Sequence, residues 1–158
     1  MRHLASGILS LSLAITTVPS SAQELTPQQA GQYMAAAGEV LSAQKTMEAI
    51  TRICGESAAQ LSVVWNDRNK SAIAKADKLR ATVLRDIEKL KGTQTAKAFE
   101  ENQNRLLTEK VAKSVQEVEI LPPEKKKHIC KRYVETANEG KWDISKNTGL
   151  YNFLMNAK

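Results

Sequence analysis

SAAQLSVVWNDRNKSAIAKADKLRATVLRDIEKLKG, residues 57–92, is the stretch on which the fold turns. Ala58, Leu61, Trp65, Arg68, Ala72, Ala76, Leu79, Val83, Ile87 and Leu90 recur in it at three- and four-residue steps. That period puts them on one side of an α-helix and gives it a stripe to bury against other helices. Lys91-Gly92 closes the stretch with a cation and a glycine, the usual signals of a helix C-terminus. The phase of the stripe runs unbroken through Asn66-Asp67-Arg68-Asn69, although these are poor helix formers. Two arrangements therefore stay open: one helix over 57–91, roughly 50 Å long at 1.5 Å per residue, or a break at Asn66–Asn69 with Asn69 capping a second helix.

Upstream, Thr26-Pro27-Gln28-Gln29 reads as a helix start: a capping hydroxyl, proline at the first helical position, and glutamine placed to close a capping box. Tyr33, Ala37, Val40, Met47, Ile50 and Cys54 then predict a helix over 27–54, stopped by Gly55. Downstream, Thr93 or Thr95 can cap a helix running through Phe99, Leu106, Leu107, Val111, Val115 and Val118. Pro122 and Pro123 end it, because a residue before proline avoids the α region. A helix from Pro123 to about Glu139 follows, with Ile129, Cys130, Tyr133, Val134 and Ala137 on its buried side. The tail is too apolar to stay free and predicts a short docked helix over 149–156. Alternating strand patterns are absent, so the expected fold is all-α: an antiparallel bundle of four to five helices forming a single domain over residues 23–158. Aromatic residues make up only 4% of the chain, so aliphatic side chains must fill most of the core.

The first residues concern address rather than fold. Met1-Arg2-His3 is a basic head, Leu4 to Val18 is mostly apolar, and Ser20-Ser21-Ala22 supplies small residues for a signal peptidase. Residues 1–22 thus read as a cleaved signal peptide, which predicts a periplasmic or secreted protein. That apolar run is too short for a permanent anchor and nothing later replaces it, so an integral membrane protein is not expected. The two cysteines, Cys54 and Cys130, are expected to pair in an oxidising compartment. Asn69-Lys70-Ser71 matches a glycosylation acceptor pattern.

Little reactive chemistry is grouped along the chain. His3 falls in the leader, so His128 is the one histidine left for a triad or a metal. It lies two residues from Cys130, which puts the pair on opposite sides of a helix. No metal and no cofactor is expected. Glu100-Glu101 and Glu117 with Glu119 are carboxylate pairs a hydrolase could recruit, and they read as solvated helix charges.

Two clusters remain as binding candidates. Trp65, Arg68 and Asn69 form the densest polar–aromatic group. Either Arg68 is paired with a carboxylate from a neighbouring helix, or Trp65 and Arg68 anchor a partner. Lys125, Lys126 and Lys127, with His128, Lys131 and Arg132, form the strongest basic group. It is either a solvated helix turn or a contact for an anionic envelope component. The net charge of +6 is a mild excess, and nucleic acid is not an expected partner outside the cytoplasm. The leading expectation is an exported non-enzymatic protein that binds another protein, as an inhibitor, an immunity-type factor or an assembly adaptor. An anionic-surface or small-ligand module using residues 125–132 stands as the alternative, and a carboxylate-based hydrolase stands behind both.

Overall fold

The computed structural model describes residues 24–157, so the leader reading of residues 1–22 lies outside the described residues. Five α-helices make up the fold: α1 Pro27–Cys54, α2 Leu61–Lys91, α3 Thr93–Glu119, α4 Pro123–Asn138 and α5 Thr148–Asn156. Single 3₁₀ turns occupy Gly55–Ala58 and Ile144–Lys146, and no strand is present among the described residues. The chain is an all-α antiparallel bundle, as its periodicity predicts.

Local code sets the start of α1. The Gln29 amide N–H donates to Thr26 Oγ1 at 3.2 Å and the Thr26 N–H to Gln29 Oε1 at 2.9 Å, completing the capping box. The Leu25 N–H donates to Asp86 on α2 at 3.0 Å, which ties the chain's entry to its neighbour. α2 begins at Leu61 rather than at 57, because the chain first makes the tight turn over Gly55–Ala58. It then runs unbroken through Asn66–Asn69, so Asn69 caps nothing. Gly92 alone separates α2 from α3, at φ +86°, a backbone region that favours glycine. Neither threonine caps α3: the Thr93 hydroxyl donates to Glu88 and the Thr95 hydroxyl to the Lys91 carbonyl.

Helices α1, α2 and α3 pack pairwise. Val40, Trp65, Ala76 and Leu154 are wholly excluded from solvent. Helix α3 is the most weakly embedded of the three, with only Ala96, Val115 and Val118 buried. Helix α5 lies against α1 and α2, where Phe153 meets Tyr33 edge-on at 6.0 Å, so the tail is docked as expected. Helix α4 crosses the end of the bundle where α1 turns into α2. The disulfide Cys54–Cys130 fastens it there across a sequence separation of 76. A loop of that length restricts the unfolded chain by about 4 kcal/mol. A second fastening comes from Lys126, whose ammonium donates to the Glu119 carbonyl at the C-terminus of α3 at 2.9 Å. No helix among the described residues is long and apolar enough to cross a membrane.

Candidate functional site

The two candidate clusters meet different fates. Trp65 is 0% exposed, and its indole N–H donates to the Trp142 carbonyl at 3.0 Å. Asn69, one turn further on, is 4% exposed. Its amide nitrogen donates to the Trp65 carbonyl at 2.8 Å and its amide oxygen accepts the Ile144 N–H at 2.7 Å. Both ends of this side chain are thus used in a dry setting, where an unmade hydrogen bond costs most. Asn69 therefore offers no accessible amide to a glycosyl group. Arg68 lies between them at the surface. Its guanidinium reaches Asp143 with Nε at 3.0 Å from both carboxylate oxygens and Nη2 at 2.7 Å from Oδ2, while Nη1 donates to the Asn138 carbonyl at 3.3 Å. The arginine side chain is 40% exposed and the aspartate 13%.

The carboxylate that pairs with Arg68 comes from the turn after α4, not from a neighbouring helix as the sequence suggests. Gly140 makes that turn possible. It sits at φ +67°, and a Cβ at this position would overlap the Arg68 guanidinium and the Asp143 carboxylate. Hydrogen bonding to Asp143 raises the pKa of Arg68 above its ordinary value. Asp143's charge adds to this, and partial desolvation opposes it. A raised pKa means the guanidinium keeps its charge until pH climbs through the arginine's own titration, far above neutrality, so the arginine's half of the pairing is lost only there. Trp65, Arg68 and Asn69 together form a clamp that binds the segment 138–144 to α2, and Trp65 presents no surface to a partner in this arrangement. Sequence reading takes Gly140 only as the stop of the helix that begins at Pro123, and it singles out neither Asp143 nor the Trp142 carbonyl. The one available signal was the Gly140-x-x-Asp143 spacing just past a helix end.

The basic cluster faces outward. Lys125, Lys127, His128, Lys131 and Arg132 are exposed on α4, and Lys126 is half-buried. Lys126 is engaged with Glu119, and Lys131 lies 3.8 Å from Glu135 one turn on. Lys125 and Arg132 have no ion-pair or hydrogen-bond partner for their side chains among the described residues. The helix divides the cluster into two flanks. One flank, with Lys127, Lys131, Glu124 and Glu135 around Val134, is of mixed sign.

The other flank is a groove of about 650 Å³ between the end of α3 and α4, floored by Val118, Leu121, Ile129 and Tyr133. It meets a second hollow of about 230 Å³, closed by Trp142, whose ring lies 5.0 Å from that of Tyr133. Lys125 and Arg132 edge this groove on the α4 side, with His128 between them and Glu124 at its near end, and Glu117 stands on the α3 side. Ile120, at the corner between the two helices, is 75% exposed. This groove also escaped sequence reading, since Ile129 and Tyr133 have the spacing of ordinary core residues.

The remaining candidates are dispersed. Cys130 is buried in the disulfide and His128 is exposed, on opposite sides of α4. Glu100 is paired with Arg80 at 3.0 Å, and Glu39 with Lys110 at 2.8 Å. Among the described residues no three His, Cys, Asp or Glu side chains are grouped to hold a metal ion. Comparison with protein-family models, with curated proteins and with solved structures returns no match for this chain.

Proposed function

We propose that this chain is an exported, non-enzymatic helical domain that acts by binding another protein, as an inhibitor, an immunity-type factor or an assembly adaptor, and that α4 is the helix it presents. The observation that carries this reading is the groove beside α4. Leu121, Ile129 and Tyr133 there remain half-open to water, and Lys125 and Arg132 on its edge have no partner among the described residues. An apolar floor with a charged border is the usual composition of a protein contact. The disulfide supports the same reading in two ways. It suits an oxidising compartment, and it fixes the presenting helix to the bundle so that little order has to be gained on binding.

A contact with an anionic envelope surface is the second reading, favoured by the five exposed basic side chains on one helix. It is the weaker one, because Glu124 and Glu135 are interleaved with Lys127 and Lys131 on the same flank. A headgroup layer rewards an unbroken field of cations.

In-cell photo-crosslinking separates the two. A benzophenone side chain in place of His128, beside the groove, should yield a discrete protein adduct. The same group in place of Ala81, exposed on α2, should not. Lipid adducts alone from position 128, or the same products from both positions, would set the protein-binding reading aside.

A further inference from the structure

The groove beside α4 specifies its occupant more narrowly than a protein of any kind. Its floor is a strip rather than a pit: Ile129 and Tyr133 are one turn apart on α4, Leu121 lies beyond one end and Trp142 closes the other. The α4 wall from Lys125 to Thr136 spans about three helical turns, roughly 16 Å at 1.5 Å per residue. No strand edge exists among the described residues to receive an extended peptide by sheet addition. A strip of this length along α4, walled by the end of α3 over its first part and by Trp142 at its far end, accommodates a further helix lying along it.

The charges then fix the composition of that helix. Lys125 and Arg132 are seven residues apart, so they stand on one face of α4, two turns from each other, along the same edge of the groove. Neither is neutralised from within the described residues. Their natural complement is a pair of carboxylates also seven residues apart on the incoming helix. Glu117 on the opposite wall and Glu124 at the start of α4 repel acids from those two places, which leaves the Lys125–Arg132 edge as the one that receives them and so orients the ligand. We infer that the α3–α4 groove binds an amphipathic α-helix of another protein, whose apolar stripe is bordered on one edge by acidic residues at i and i+7. This rests on the protein-binding reading above and sharpens it.

The test uses the oxidised full chain and a fluorescein-labelled synthetic helical peptide. The peptide has leucine at alternating three- and four-residue steps and glutamate at two flanking positions seven apart. Anisotropy titration should show saturable binding that weakens with salt. The double variant Lys125→Glu, Arg132→Glu should lose roughly tenfold in affinity, and a peptide with lysine in place of the two glutamates should recover it. Both substituted side chains are exposed, and an unchanged thermal melt will show that the variant is folded.

The inference is overturned if the acidic peptide does not saturate, if the double reversal leaves its affinity unchanged, or if the lysine peptide binds the native chain equally well. It is also overturned if phosphatidylglycerol vesicles retain the native chain but not the reversed one while the peptide binds neither. Should position 128 crosslink to a protein in cells while the peptide titration fails, this inference falls and the broader reading stands.

Discussion

The clamp on α2 and the basic flank of α4 are built from the residue types that mark binding hot spots, yet only one of them is open to a partner. On α2, Trp65, Arg68 and Asn69 spend their polar atoms on the chain's own segment 138–144, except the Asn69 amide nitrogen, which donates to the Trp65 carbonyl on the same helix. On α4, Lys126 is spent on α3 and Lys131 leans toward Glu135, but Lys125 and Arg132 meet nothing among the described residues. The lesson concerns accounting for donors and acceptors. A tryptophan or an arginine marks an interface only when its polar group and its surface have not already been satisfied at home.

The strongest way to break this contrast is Trp65→Ala. The side chain is fully buried and its N–H holds the Trp142 carbonyl, so the substitution should cost about 3–5 kcal/mol of stability through cavity and lost packing. It should act on partner binding only through unfolding. Urea denaturation followed by circular dichroism measures the first effect. A crosslink yield at position 128 that collapses in Trp65→Ala protein at a temperature where it is still folded would place Trp65 in the interface and erase the distinction.

Asn69→Ala asks the same question at smaller scale. The Ile144 N–H would lose its acceptor in a buried setting, at a cost of about 1–3 kcal/mol. Because the lost hydrogen bonds fasten the turn rather than the bundle, amide exchange should quicken first around residues 140–147, with the α1–α2 core still protected. Exchange that quickened uniformly along the chain would mean that Asn69 supports α2 itself rather than the latch.

The same contrast explains how much of the molecule was legible before its structure. Helix α1 was readable from end to end because Thr26, Pro27, Gln29 and Gly55 act on their immediate neighbours. The stripe on α2 was readable because burial repeats with the helix period. Its continuity across Asn66–Asn69 was not, since it is decided by partners 75 to 77 residues away: Asp143, Ile144 and the Trp142 carbonyl. These residues repay in tertiary hydrogen bonds what they lack in helix propensity. The start of α3 misled for the opposite reason. A positive-φ glycine breaks the chain by itself, so the threonines beside it were free to bond elsewhere. The basic cluster was visible as a run of lysines. Which of its members stay unpaired depends on where α4 lies against α3, and no local spacing encodes that.

The smallest expected effect carries the most weight. Lys125→Gln together with Arg132→Gln should change stability by no more than about 0.5 kcal/mol, as is usual for exposed side chains without partners. Both residues lie on the solvent side of a helix already held by the Cys54–Cys130 bond and by Lys126, so neither contributes to holding α4 in place. The prediction is a null in urea denaturation, set beside a loss in the crosslink yield from position 128. If the double variant instead melted several degrees lower, the two cations would have hidden partners and α4 would resemble α2, with its charges already used. A stable variant that no longer crosslinks would leave the opposite conclusion: residues that contribute nothing to the fold are retained for something outside it.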